Sequence, residues 1–326
     1  MDGGASKADL VLVDLKGNVL AAIRRRGSYH FGLDRTGSLQ TLGKAIDGLR
    51  EAAGLPPEQR AIAEVGIYCL AGADIPIDDR RISAEISGES WTRRTIIRND
   101  TFAVLRAGTD RHWGVAVVSG TGMNCAGISP DGRSVRFPAL GELSGDRAHG
   151  GGWLGRMALG AAIRARDGRG PHTSLERLVP AYFNMTRPTA VMEAVYLSKL
   201  DYGRLSEVAP IVFKAAAGGD FVAQELIDEM AVEIIVTACA AIRRLRVANR
   251  DVHVVLGGSV LRAADDGLVG RIRDGIREVA PLAEIRRLKV PPVLGAALMG
   301  LDDMKAPAAA YKRLRTAVTN ERFAAG

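Results

Sequence analysis

A chain of 326 residues with a net charge of +7 exceeds what one hydrophobic core usually fills, so two domains are expected. No apolar run spans a bilayer, the Met1-Asp2-Gly3-Gly4 start is no secretory signal, and Cys69, Cys125 and Cys239 form no CxxC pair, all of which fits a reducing cytoplasm. The basic excess sits in short clusters, Arg24-Arg25-Arg26, Arg243-Arg244 and Arg286-Arg287, without interleaved aromatics, and reads as solvated faces rather than contacts to nucleic acid or membrane.

In chain order, a glycine turn, Asp2-Gly3-Gly4-Ala5-Ser6-Lys7, opens the chain. Residues 10–13 read as a buried strand, 14–18 as a turn and 19–23 as a second strand. Leu39, Leu42, Ile46, Leu49 and Ala53 recur at helical spacing, which predicts a helix over 38–53. Residues 65–70 are apolar on both faces, as in a parallel sheet, and 95–98 form a strand that delivers Asn99-Asp100 at its end. The pattern then restarts: a strand over 113–118, a glycine turn at Gly120-Thr121-Gly122, a strand over 125–128, a turn and a strand over 134–137. Glycine turn, strand, turn, strand thus occurs twice, about 115 residues apart, which implies two domains on one plan. The expected division is 1–112 and 113–326. Helices are expected over 153–166, 173–184, 188–199, 203–217, 220–247, 266–279 and 293–304. A buried strand over 252–256 runs into Gly257-Gly258-Ser259, and the last twenty residues are expected to form a helix that frays.

Glycine turns beside strands let backbone N–H groups approach phosphate oxygens, because no Cβ intervenes. The first turn adds a carboxylate that can hold Mg²⁺ through water and an ammonium that offsets phosphate charge. Neither turn matches GxxxxGK[ST], and both enter strands, which argues against a P-loop or a Rossmann dinucleotide site. The histidines show no HxH or HExxH spacing, and His149 lies in a glycine-rich loop, Gly145 to Gly152. Asp100 has two readings on spacing alone. One is an N-cap for the helix that follows. The other is a general base, since a sugar hydroxyl attacks a phosphoryl group only as its proton is removed.

Together, Asp2-Gly3-Gly4-Ala5-Ser6-Lys7, Asn99-Asp100, Gly120-Thr121-Gly122-Met123-Asn124-Cys125, Gly145-Asp146 and Val255-Leu256-Gly257-Gly258-Ser259 resemble the N-acetylglucosamine kinase-like branch of the BadF/BadG/BcrA/BcrD ATPase family, within the actin/hexokinase/Hsp70 superfamily. The resemblance extends to Pro292-Val293-Leu294-Gly295-Ala296-Ala297. It implies an α/β chain of two ribonuclease-H-like, actin/hexokinase-type domains with a nucleotide cleft between them. It implies ATP and Mg²⁺, with Asp2, Gly3, Gly4, Ser6 and Lys7 as the first phosphate loop and Asp2 toward the metal through water. Gly120, Thr121 and Gly122 become the second phosphate loop, and Gly257, Gly258 and Ser259 lie under the adenosine. Asp100 becomes the catalytic base, and Asn99, Asp100, Asn124, Gly141 and Asp146 serve the sugar or its loop. Serine stands at position 6 where the family has threonine, and Leu140 precedes Gly141 where it has tryptophan. A full apolar strand usually leads into the first loop, whereas here Met1 directly precedes Asp2.

The expected activity is ATP-dependent phosphorylation of a hexose or amino sugar, N-acetylglucosamine or a relative, by a cytoplasmic homodimer. Two alternatives stand beside it: an ATPase that activates a redox enzyme, and a non-catalytic sugar or nucleotide binder. The first needs paired cysteines for an iron–sulfur cluster.

Overall fold

Two five-stranded sheets are built on the same strand order. The structure, a computed structural model, describes residues 1–4, 7–27, 29 and 35–323. Its contacts divide the chain into two units, Met1–Ala116 with Ala126–Pro138 and Leu288–Gly326, and Val117–Cys125 with Ala139–Arg287.

The first sheet contains β1 (Asp2–Gly3), β2 (Lys7–Val13), β3 (Val19–Arg26), β4 (Ala63–Leu70) and β5 (Thr92–Asn99), in the order β3-β2-β1-β4-β5. β1 pairs antiparallel with β2 and parallel with β4, and β4 pairs parallel with β5. The strand expected to be nearly missing is indeed two residues long, yet it holds the centre of the sheet. Helices α1 (Arg35–Ala52), α2 (Pro76–Gly88) and α3 (Asp100–Gly108) belong to the same unit. Leu42, Ile46 and Leu49 of α1 bury against Leu10, Leu12 and Ile23 of the strands, which is what their spacing called for. Each such side chain stabilises the fold by roughly 1.5–3 kcal/mol.

The second sheet contains β6 (Gly114–Ser119), β7 (Met123–Ile128), β8 (Ser134–Arg136), β9 (His253–Gly257) and β10 (Glu284–Arg287). Read from β8, its order β8-β7-β6-β9-β10 matches the first sheet strand for strand. The weak internal repeat therefore marks a true duplication of architecture: β1-β2-β3 corresponds to β6-β7-β8.

The helices after β8 are α4 (Gly151–Asp167), α5 (Leu175–Tyr182), α6 (Pro188–Tyr196), α7 (Ala209–Ala217), α8 (Phe221–Leu245), α9 (Ser259–Ala263) and α10 (Asp266–Arg277). The helix expected over 203–217 divides into a 3-10 turn, Tyr202–Val208, and α7. Pro210 sits in the first turn of α7, where its missing N–H is harmless; further inside a helix it would break one. Strand β10 was not expected from its sequence, Glu-Ile-Arg-Arg, which shows no strong apolar pattern.

Two last helices, α11 (Val293–Asp303) and α12 (Ala308–Ala317), join the first unit. The terminal helix expected from the sequence is present as α12. Arg315 of α12 donates to the carbonyls of Ala107 at 3.0 Å and Thr109 at 2.9 Å, closing the C-terminal end of α3. Leu314, Val318 and Phe323 are buried. No helix among the described residues is long and apolar enough to cross a membrane.

Candidate active site

Register brings the first group of predicted residues together. Gly3 pairs with Leu70, and Leu70 with Asn99, so β1, β4 and β5 end in one row. Ligands of open α/β sheets bind at such carboxyl ends. Asp2 stands opposite Asp9 across the antiparallel β1–β2 pair. Arg24 grips buried Asp9 with Nε at 2.6 Å and Nη2 at 2.8 Å, while Lys7 Nζ is 4.0 Å from the same carboxylate. Gly4 N donates to Lys7 O at 2.9 Å, which closes the turn. Ser6 lies outside the described residues. Burial pushes the Asp2 carboxyl up to about 7, and the negative charges of Asp100 and Asp9 add to the effect.

Asp100 opens α3, but it is not the cap. Asn99 is: its Oδ1 accepts from Thr101 N at 3.0 Å and from the Thr101 hydroxyl, and its Nδ2 donates to Asp74 Oδ1 at 2.7 Å. Asn99 is fully buried, so its side chain holds the strand-to-helix turn. The capping role that competed with the general-base reading of Asp100 thus belongs to its neighbour. Burial pushes the Asp100 carboxyl up to about 6, opposed by the N–H groups of Thr101 and of Asp100 itself. Asn99→Ala removes a cap and strips Asp74 of a buried donor. A loss of about 1–3 kcal/mol is expected, read as a lower Tm. An unchanged Tm would show that the turn holds itself without Asn99.

The second unit gathers the other two glycine turns. Gly120 N donates to Gly122 O at 2.9 Å at the end of β6. Gly151 N donates to Gly120 O and Gly152 N to Thr121 O, both at 2.8 Å, so the start of α4 is bonded to this turn. Gly257-Gly258-Ser259 leads from β9 into α9, and Gly258, at φ +90°, packs directly on the Ser119 carbonyl. A side chain there would overlap that carbonyl, and φ is one that glycine alone adopts readily. A cavity of about 310 Å³ lies between these turns and the helices, lined by Gly120, Thr121, Gly151, Ser259 and Val260 and by Tyr182, Ser206, Glu207 and Phe213. The buried Ser119 hydroxyl finds no hydrogen-bond partner among the described residues.

Asn124, Gly141 and Asp146 lie in the second unit as well. Asn124 Oδ1 accepts from Cys125 N at 2.7 Å, and Asp146 accepts from the Ser144 hydroxyl at 2.6 Å while its N–H donates to Gly141 O at 3.1 Å. Sequence reasoning did not find Asp74, Tyr182, Ser206, Glu207 or Phe213, because nothing local distinguishes a lining side chain from a surface one. The glycine run Gly150-Gly151-Gly152, which spans the cap and first residues of α4, was a usable signal for the helix start that meets the second turn.

Residues 1–300 match the BadF/BadG/BcrA/BcrD ATPase family. An N-acetylmuramic acid/N-acetylglucosamine kinase of Clostridium acetobutylicum is 26% identical over 263 residues, 80% of this chain and 84% of that protein. An N-acetyl-D-glucosamine kinase of Dictyostelium discoideum is 27% identical over 319 residues, 94% and 98% of the two chains. A solved structure from Chromobacterium violaceum, provisionally assigned as an N-acetylglucosamine kinase, superposes with a TM-score of 0.70 at 23% identity, covering 91% of this chain and 96% of that one, and shares the fold.

Proposed function

The chain belongs to the BadF/BadG/BcrA/BcrD ATPase family, and on that premise we propose that it transfers the terminal phosphoryl group of ATP to a hexose or amino sugar. N-acetylglucosamine or a close relative is the substrate this reading favours, in keeping with the names of the two curated kinases. The observation that carries it is Asp100: a carboxyl at a strand end, relieved of capping by Asn99, and raised by burial to about 6. Such a group accepts a proton near neutral pH. Asp100 takes the proton of the sugar hydroxyl as the new O–P bond forms and ADP departs.

The other residues have supporting roles. Gly120, Thr121 and Gly122 present backbone to phosphate, and Ser259, placed by the Gly257-Gly258 turn, borders a cavity whose mix of Phe213 and Val260 with Ser206 and Glu207 suits an adenosine. The residues present fit a divalent cation: Asp2 is a carboxyl raised by burial and by two neighbouring carboxylates, a position that a cation relieves. Asp2 would hold Mg²⁺ through water, and the ion would supply neutralisation of phosphate charge. The redox-activator alternative needs cysteines that reach a partner. Cys69, Cys125 and Cys239 are all buried, and burial pushes the Cys69 thiol up to about 12.

ADP release is to be followed by a coupled assay over N-acetylglucosamine, glucosamine, N-acetylmuramic acid, glucose and other hexoses. Mg²⁺-dependent turnover is expected with N-acetylglucosamine or a relative. Silence on every sugar overturns the kinase reading.

A further inference from the structure

Three side chains of the second unit form a cluster that the roles above leave unused. Arg156 Nη2 lies 3.0 Å from His149 Nε2 and 3.4 Å from Glu142 Oε1. Its guanidinium also stacks over the Tyr202 ring, 5.9 Å from the centroid. Glu142 Oε1 is 3.2 Å from the same His149 nitrogen. These contacts cannot all be satisfied. If Nε2 accepts from Arg156, it has no proton for Glu142; if it carries a proton, it faces the guanidinium donor against donor. Glu142 is the member most easily displaced, because its side chain is 74% exposed.

Arg156 differs from three arginines that are as buried or more so, though Arg287, 29% exposed, also meets a carboxylate through one nitrogen at 3.4 Å. Arg24 grips Asp9 at 2.6 and 2.8 Å, Arg106 grips Asp302 at 2.8 and 3.0 Å, and Arg136 grips Asp79 at 2.7 and 3.0 Å, each with two nitrogens. Their side chains are 23%, 9% and 17% exposed, against 22% for Arg156. Arg156 meets its carboxylate through one nitrogen at a long distance. A partly desolvated guanidinium fork is matched by a bidentate oxyanion, and among the described residues this one has none.

Its place says which oxyanion. Gly152, whose N–H bonds the Thr121 carbonyl, lies beside Arg156: a side-chain carbon on Gly152 would be 3.6 Å from Arg156 Nη1. Gly150 packs against the Gly122 carbonyl, so the whole cluster borders the second glycine turn. The N–H groups of Gly151 and Gly152 already bond loop carbonyls. Among the described residues, the Arg156 side chain is a cation beside this turn.

We infer that Arg156 binds the terminal phosphoryl group of ATP at the second glycine turn, and that Glu142 occupies the guanidinium until the nucleotide arrives. This rests on the kinase reading above. The transferred group carries the oxygens that a guanidinium fork requires, and comparison with ADP, which keeps the β-phosphate oxygens but lacks that group, separates the two.

The test is calorimetric binding of Mg²⁺–AMP-PNP and Mg²⁺–ADP to the full chain, with turnover and Tm measured alongside. In Arg156→Gln, AMP-PNP affinity is expected to fall about tenfold or more while ADP affinity stays within about twofold, and kcat to fall at least about 10²-fold, as for other phosphoryl-binding arginines. Arg156→Lys, which keeps a point charge, is expected to lie between; it also serves if the glutamine variant does not fold. Glu142→Gln is expected to tighten AMP-PNP severalfold and leave ADP unchanged; unchanged AMP-PNP binding removes the placeholder role. Folded Arg156→Gln and Arg156→Lys with the wild-type preference for AMP-PNP over ADP overturn the inference. If the wild type turns over sugar in that case, only Arg156 is misassigned. If the wild type binds neither nucleotide, the kinase reading falls with it.

Discussion

Replacing Asp100 by asparagine is expected to lower kcat about 10²–10⁴-fold, the usual contribution of a positioned general base, while ATP binding stays close to wild type. The amide keeps the shape of the side chain and cannot take a proton. The pH profile gives an independent reading. With its carboxyl at about 6, Asp100 is the active carboxylate only above that pH. The wild-type kcat/KM is therefore expected to rise as pH increases through about 6 and then level off, and the variant to lose that limb. Wild-type turnover in Asp100→Asn would return Asp100 to a structural role.

The same raised carboxyl has a consequence for stability, with a definite sign. The folded value of about 6 lies above the ordinary 3.8, so folding favours the protonated form. The stability this contributes is complete below 3.8 and is lost as pH rises through about 6; Asp2 repeats the pattern up to about 7. At pH 8 both carboxylates are charged and oppose folding. Asp100→Asn is then expected to raise Tm by about 1–2 °C, a change of order 1 kcal/mol in a chain this size, and to bring no gain at pH 4. Thermal denaturation at the two pH values checks it. A base that destabilises its own unit is the trade expected where function requires a charge in a poorly solvated place.

Gly258→Ala is expected to damage both folding and nucleotide binding. Gly258 adopts φ +90° and ψ 164°, and a Cβ would overlap the backbone of Ser119 at the end of β6. The backbone region alone costs about 1–3 kcal/mol for a residue with a side chain. Relief requires β6 and β9, neighbours in the sheet, to shift against each other, which moves the Gly120 turn as well. A Tm several degrees lower and an ATP affinity at least about tenfold weaker are expected, the latter equivalent to about 1.4 kcal/mol. Gly122→Ala separates the two effects, because a Cβ there meets nothing within 4 Å. It is expected to keep its Tm and still weaken ATP binding, since the added carbon stands where phosphate oxygens approach the turn. Wild-type ATP binding in Gly122→Ala would remove that turn from the phosphate site.

Local physics accounts for the features that are legible in the amino-acid sequence. Apolar runs bounded by glycine, a period of 3.6 over 39–53 and a strand ending at Asn99-Asp100 are short-range patterns, and the sterics of glycine and the alternation of side chains act over a few residues. Even the recurrence of the strand plan is visible there, because both copies fill the same kind of sheet. Two features escape for a related reason. β10 is short and charged, and the choice between Asn99 and Asp100 as helix cap turns on one residue of offset, which the N-cap preference for both types does not separate.

Tertiary structure decided the rest. The sequence by itself determined that glycine turns and a strand-end aspartate were present; only register, set by burial of the central strands, aligned Gly3, Leu70 and Asn99 and so put Asp2 beside Asp100. Burial raises both carboxyls, and the proximity of Asp100 adds to the rise of Asp2; no spacing encodes either. The contact of Arg156 with His149 and Glu142, and the return of α11 and α12 to the first unit, have the same origin. Chemistry of this kind depends on which chain ends a sheet brings side by side, and that is fixed by packing between residues far apart in the chain.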